Sequence, residues 1–438
     1  MEGENGPMVE EGTEPKVNGG EKVQGLFEMT LNPPDWLNKD YMEKALRDYE
    51  GDQTLIVTEC SITPATKPGD NFASIVFRAV LTYVSKKYPA PGENFSYIMK
   101  VKPFMAGLKK DLMANLPFFE TEIDMYTKVF PEMQRLLSQI GETEPIAPTL
   151  IHHSLNPDIV IFEDISKYGY VMRYKGLDYE GALKVITKLA TFHSLSYYIQ
   201  NESILDLTDF TNGLFSSNTG FQMDFIPQSF HGFADAVKDY GGYEVAVEKL
   251  EAIKPLLLKK MGEIYKPRGN PYGVNVLNHG DFHIRNLLFI NNGDDIDKLT
   301  FIDFQICFWG TPAIDLYYLL YAISSEEPRD RVPELIRAYH EKFCSILTDL
   351  GYLKKPPSLL ELHIELLRHG FMETIMMSCF LPMFFMDMSQ LAEEMKDAAG
   401  DNMEALAQFQ KKLYRLEGYK KNVDKILPRL LYTGQLEV

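Results

Sequence analysis

Residues 278–289 read NHGDFHIRNLLF. The stretch places His279, Asp281, His283 and Asn286 close together and runs straight into an apolar segment. A β-hairpin follows: NLLFI and LTFID bracket NNGDDIDK, whose Asn-Asn-Gly is a tight-turn signal. The second strand ends in FIDFQ, so the hairpin returns Asp303 to the edge of the loop that holds Asp281. Phosphoryl transfer from ATP needs such a set. One carboxylate orients the attacking hydroxyl and receives its proton, while an amide oxygen and a second carboxylate hold magnesium on the phosphates. The spacing from Asp281 to Asn286 equals that of the protein-kinase catalytic loop, with Gly280 in place of that motif's arginine. Taken singly, each of these residues is an ordinary turn residue. Together, behind a β-rich segment, they point to phosphotransfer.

His279 and His283 are four apart, the spacing of a zinc pair on a helix. Here they span a loop that enters a strand, so both are read as structural residues that hydrogen-bond the loop backbone.

Upstream, residues 54–62 (TLIVTECSI), 74–88 (SIVFRAVLTYVSKKY) and 95–102 (FSYIMKVK) are rich in Val, Ile, Thr and aromatics and read as strands. Residues 157–166 (PDIVIFEDIS) read as a fourth. A surface helix ends near Gly51, a second helix over 118–130 stops before Pro131, and a third covers 182–198. Beyond it the chain is mostly helical, without internal repeats. The expected class is α+β, with a small β-rich N-lobe (26–165) ahead of a larger, mainly helical C-lobe (166–438). Residues 1–25 form an acidic, Gly-rich lead without an apolar core, expected to be disordered and unsuited to a signal peptide.

A kinase site also needs a cation on the phosphates, held by a helix carboxylate. The third strand offers Lys100 and Lys102 on one face, and periodicity does not choose between them. The helix offers Glu120 and Glu122. Lys100 with Glu122 is the first choice. The Pro/Gly loop 68–74 (PGDNFAS), ending at Ser74, lies where a phosphate-covering turn belongs. Asp315 begins an apolar helix and reads as its cap, a structural role.

The 438 residues carry a net charge of −18. That argues against a nucleic-acid partner, which needs a basic face. Hydrophobic residues make up 45%, with 27 Phe and 24 Tyr, enough for a sizeable core. Cys60, Cys307, Cys344 and Cys379 form no CxxC pair and read as reduced, buried thiols of a cytoplasmic protein. The most apolar window, 374–386, is too short to span a bilayer and contains Pro382, so no membrane partner is expected.

Four segments together, NHGDFHIRNLLF, FIDFQICFWGTPAIDLYYLL, FFETEIDMYTKVFP and VIFEDISKYGY, resemble the insect ecdysteroid kinase-like proteins. These belong to the choline-kinase and aminoglycoside-phosphotransferase branch of the kinase-like fold. The resemblance runs from about Pro33 to near the C-terminus. It implies a bilobal protein-kinase-like fold and transfer of the ATP γ-phosphate to a small-molecule hydroxyl, with Asp281 as catalytic base and Asn286 and Asp303 as magnesium ligands. It also implies that Lys100 is the phosphate lysine and Glu122 its partner, which resolves the Lys100/Lys102 tie by resemblance only. Glu163 and Asp164, in FED, fall at the inter-lobe hinge, where the backbone would meet adenine. Gln305 stands where protein kinases have the glycine of DFG.

The residues themselves disfavour a protein kinase. Only about a dozen residues separate Asp303 from Asp315, too few for an activation segment and APE element. A long stretch, 201–272, precedes the catalytic loop, where helices could wall an acceptor pocket. The Met- and Phe-rich segment 371–388 suits an irregular apolar ligand and equally suits core packing. The expected function is an ATP- and magnesium-dependent small-molecule O-kinase with an alcohol acceptor, an ecdysteroid-like polyol being favoured. Choline, ethanolamine or a xenobiotic is the alternative acceptor. A nucleotide-binding pseudokinase is the other class, against which the complete set of Lys100, Glu122, Asp281, Asn286 and Asp303 speaks.

Overall fold

The computed structural model describes residues 32–66, 74–89, 94–102, 117–213, 220–269, 273–385 and 411–438. The lead expected over 1–25 lies outside them, as do 386–388 of the Met-rich segment and all of the loop 68–74 except Ser74. No helix among the described residues is long and apolar enough to cross a membrane.

Helix α1 (Lys39–Glu50) begins where the Asn38 side chain accepts the Tyr41 N–H at 3.1 Å and ends at Gly51 in the left-handed region. Its buried Met42, Ala45 and Leu46 pack on a five-stranded antiparallel sheet, order β1-β2-β3-β5-β4. The strands are β1 (Ile56–Pro64), β2 (Ile75–Val84), β3 (Asn94–Val101), β4 (Leu150–Leu155) and β5 (Asp158–Glu163). β2 alternates between the two faces, with Phe77, Ala79 and Leu81 in the core. The register sets Lys100 of β3 between Val76 of β2 and Val160 of β5. β4, LIHHSL, is a strand that sequence reading missed. An edge strand needs only one apolar face, and its two histidines hide the alternation.

Between β3 and β4, α2 (Phe118–Asp124) passes through a π turn (Met125–Val129) into α3 (Phe130–Gln139). The expected stop before Pro131 does not occur. The Phe130 N–H bonds the Met125 carbonyl and resets the ladder, so Pro131 falls in the first turn of α3, where its missing N–H is tolerated. The buried faces of α2 and α3 join the large core of the helical part rather than the core under the sheet.

The remaining described chain includes β6 (Val171–Met172), α4 (Tyr179–Asn201), α5 (Gly220–Tyr240), α6 (Glu244–Ile253), α7 (Leu257–Ile264), β7 (Val276–Asn278), β8 (Leu287–Asn292), β9 (Asp295–Phe301), β10 (Phe308–Gly310), α8 (Ala313–Tyr318), α9 (Val332–Asp349), α10 (Leu359–Arg368), α11 (Phe371–Ile375) and α12 (Glu417–Tyr432), with a short helical turn at Glu326–Asp330. The two-lobed architecture expected from the sequence is thus present: a small sheet lobe and a larger helical lobe. The β8–β9 hairpin forms as expected, pairing Leu287 with Phe301 and turning at Gly293. The short pair β7–β10 was not expected; it clamps both ends of the segment between the loop and α8. In the Met-rich segment, Met372, Ile375, Met376 and Met377 are fully buried core residues. All four cysteines are free, but only Cys307 and Cys379 are buried. Cys60 and Cys344 are partly exposed, which corrects the expectation of four buried thiols.

Candidate active site

The catalytic-loop candidates sit where β7 leaves the helical core. Gly280 has φ +83°, and a Cβ there would lie 2.3 Å from the Ile306 carbonyl oxygen. That contact is impossible, so no arginine fits at this point of the loop. The backbone N–H groups of His279 and Gly280 both donate to Asp315, at 2.6 and 3.0 Å. Asp315 is completely buried and also takes the Nε2 of His193 at 3.1 Å, while His193 Nδ1 meets the Tyr339 hydroxyl at 2.8 Å. Its expected role as a cap is corrected. Asp315 lies inside α8, where its carboxylate anchors the loop backbone and ties α4, α8 and α9 together. Sequence offered no signal for this, because the donors are backbone groups 35 and 36 residues upstream.

Beyond Gly280 the loop closes on itself. His283 N–H bonds the Asp281 carbonyl at 3.0 Å, and Asn286 N–H bonds the His283 carbonyl at 2.9 Å. The Asn286 amide nitrogen donates to the Asp281 carbonyl at 2.9 Å and to its carboxylate at 3.3 Å. That commitment leaves the Asn286 amide oxygen as the atom for a cation. His283 Nε2 stands 3.5 Å from the Asp281 carboxylate. Burial pushes the Asp281 carboxyl up, but His283 and Asn286 outweigh it and hold the group below the usual carboxylate range. The same charge raises His283 against its own burial. His283 therefore faces a carboxylate rather than the loop backbone, which corrects its expected structural role. His279 matches that role. Its Nε2 bonds the Ile302 carbonyl at 2.9 Å, and burial lowers its pKa, so the ring is a neutral N–H donor.

Asp303 follows from the same zipper. Ile302 N–H bonds the Asn286 carbonyl at 3.0 Å, and the next residue, Asp303, adopts φ +70°. Aspartate tolerates the left-handed region better than most residues. Its carboxylate accepts from Lys100 Nζ at 2.6 Å, and Lys100 also donates to Glu122 at 2.6 Å. Burial alone would lower the Lys100 ammonium, but Asp303 and Glu122 together hold it above its ordinary value. Burial dominates at Glu122, whose carboxyl is raised despite Lys100. Lys102, the other candidate, pairs with Asp158 at 2.9 Å on the partly exposed side. Phe304 is fully buried, with its ring 4.7 Å from both Phe130 and His279. It links the Glu122 helix to the loop.

Asp164 is buried and held by Arg78 Nε at 2.7 Å, the Ser96 hydroxyl at 2.6 Å and the Ser166 N–H at 3.0 Å. These partners outweigh burial and keep its carboxyl below the usual range. Glu163 pairs with Lys167 at 2.9 Å and the Tyr168 hydroxyl at 2.7 Å. Both side chains are thus committed to neighbours, and so are the backbone N–H groups, Glu163 to the Thr149 carbonyl at 3.0 Å and Asp164 to the Ser96 carbonyl at 3.2 Å. Ser74 is buried beside the first residue of β2.

Residues 68–352 match the model of the ecdysteroid kinase-like family. The chain belongs to that family. The match covers a shorter span than the resemblance read from about Pro33 onward. Membership of the ecdysteroid kinase-like family makes the chain a small-molecule kinase, a phosphotransferase of kinase-like fold. A comparison with curated proteins finds no match. Similar solved structures include a choline kinase from Streptococcus pneumoniae, 14% identical, covering 87% of this chain and 99% of that one at TM-score 0.34. An ethanolamine kinase from Plasmodium vivax is 12% identical over 89% and 90% of the two chains, TM-score 0.37. A macrolide 2'-phosphotransferase from Brachybacterium faecium is 10% identical over 77% and 91%, TM-score 0.31. Likeness at this level assigns nothing to particular residues of the ecdysteroid kinase-like chain.

Proposed function

We propose that this chain transfers the γ-phosphoryl group of ATP to a hydroxyl of a small, largely apolar polyol of ecdysteroid type. The observation that carries the reading is Lys100, which bridges Glu122 and Asp303 at 2.6 Å each, beside a loop in which Asn286 holds the ionised Asp281. Positioning and charge stabilisation do most of the work in phosphoryl transfer, and these are the groups for it. Lys100 keeps its charge in a buried place and holds the phosphates, while Glu122 fixes its direction. Asp281 orients the acceptor hydroxyl and takes its proton as the O–P bond forms. The backbone at Glu163 and Asp164, whose N–H groups are bonded to Thr149 and Ser96, meets the adenine through its carbonyls, and Ser74 closes the phosphate-covering loop.

The donor set fits magnesium. Asp303 and Asn286 offer hard oxygen atoms, and among the described residues no group of three His, Cys, Asp or Glu side chains is placed to hold a metal alone. Magnesium characteristically takes one or two protein ligands and completes its shell with phosphate and water. When bound, it would offset charge on the phosphates. The favoured acceptor rests on the family's name and on α5–α7, the helices that fill the stretch ahead of the catalytic loop.

The test is magnesium-dependent ATP consumption by purified protein with ecdysteroids, choline, ethanolamine and hydroxylated xenobiotics, and with mass spectrometry of the products. Phosphorylated ecdysteroid, absent with Asp281→Asn, is the expected result. Tight ATP binding without turnover on any acceptor would favour the pseudokinase class instead.

A further inference from the structure

Tyr318 is the last residue of α8, one helical turn beyond Asp315, and a π turn (Leu319–Ile323) begins at the next residue. Asp315 holds the backbone of His279 and Gly280, so Tyr318 is tied through one helical turn to the loop that carries Asp281. The tyrosine is fully buried, yet its hydroxyl has no hydrogen-bond partner among the described residues. Buried phenols normally find a partner, and an unpaired one costs about 1–3 kcal/mol. Phenylalanine would fill the same volume without that cost.

The surroundings indicate what would pair with it. Burial, and then the negative charges of Asp281 and Asp315, keep the phenol protonated, so it acts as a neutral O–H donor. The segment Phe371–Ile375 and a second π turn (Met376–Phe380) pack against α8 and the turn that follows it. Met376 and Met377 in that second π turn are fully buried. Phe380, itself only partly buried, has its ring 5.8 Å from that of Tyr318 between centroids, tilted by 50°. Local π turns of this kind recur at functional sites.

We infer that Tyr318 is a positioning residue for the acceptor. Its hydroxyl donates a hydrogen bond to an acceptor oxygen other than the one phosphorylated, reached when the Phe380 ring moves aside. This inference rests on the kinase reading and narrows it. The substrate carries at least two oxygens on an apolar body, as a steroid polyol does. Choline and ethanolamine have a single oxygen, the one attacked, and leave the phenol unpaired.

The experiment compares the full chain with Tyr318→Phe, using 20-hydroxyecdysone as the polyol probe and choline as the single-oxygen control. Four expected results make the case. The melting temperature of free Tyr318→Phe equals or exceeds that of the wild type, because no bond among the described residues is lost. Its stabilisation by magnesium and ATP is unchanged. Binding and KM for 20-hydroxyecdysone weaken about three- to tenfold, the worth of one hydrogen bond, with kcat changed less. Choline responds equally in both proteins. A melting temperature lower by several degrees would place the hydroxyl's partner inside the fold and overturn the inference. So would equal 20-hydroxyecdysone affinity in the two proteins, or no binding of it by the wild type. If magnesium and ATP still bind and choline is turned over, only the Tyr318 assignment fails; absence of nucleotide binding sinks the kinase reading itself.

Discussion

The Asp281 loop and the Lys100 cluster are built in opposite ways. The loop is contiguous: His279 to Asn286 fold back on one another through backbone bonds, and one remote carboxylate, Asp315, holds their start. The cluster joins a strand, a helix and a hairpin end, and its Lys100–Asp303 bond spans 203 residues of sequence. Lys100 and Glu122 are withdrawn from water, whereas Asp303, like Asp281 and His283, keeps partial access to solvent. A contiguous loop can be rigid without being buried. A cluster assembled across the lobes relies on charge, and isolated buried charge is expensive.

The largest effect should fall on the anchor of the loop. Asp315→Ala leaves two backbone N–H groups and the His193 ring nitrogen buried and unpaired. It should destabilise the protein by about 3–5 kcal/mol in denaturant unfolding. A loss under 1 kcal/mol would mean that the loop needs no remote anchor. Next comes the cluster. Lys100→Met should cost about 3 kcal/mol, since it leaves Glu122 buried without its cation, and Lys100→Met with Glu122→Gln should recover much of that. If the double variant is as unstable as the sum of the two single changes, charge is not what holds the cluster. Asp281→Asn keeps the shape of the loop, so it should fold and bind ATP. Its turnover should fall at least about a hundredfold, the low end of general-base effects. Unchanged turnover removes Asp281 from the chemistry.

The smallest effect should fall outside both regions, at Asp164, just after β5. The folded Asp164 carboxyl titrates below its unfolded value of about 3.9. Its stabilisation is therefore fully present above that value and is lost as pH falls through the folded one. Arg78 is substantially exposed, so Asp164→Asn should cost only about 1–2 kcal/mol near neutrality. The gap between the two urea midpoints should narrow in acid; a gap that stays constant with pH would deny the carboxylate its role.

The loop was legible because its spacing is a local property of the chain. Asp281, Asn286 and Asp303 could be picked out from NHGDFHIRNLLF and the hairpin that follows. The two lobes were legible too, from the shift between β-rich and helical periodicity. β4 was missed because an edge strand with His152 and His153 does not look apolar. The helix through Pro131 was missed because a π turn is invisible in composition. His283 was given a backbone partner, since nothing in the spacing says that its ring meets the Asp281 carboxylate.

By itself, then, the sequence determined the class of fold, the loop that carries Asp281 and Asn286 and the hairpin that returns Asp303, all of which depend on neighbours in the chain. Only the tertiary structure decided which lysine is buried with two carboxylates, why Gly280 admits no side chain, what Asp315 holds, and that the Tyr318 hydroxyl is buried without a partner among the described residues. Those depend on burial and on groups tens to hundreds of residues away, and burial is the quantity that sets the cost of every unpaired charge and donor.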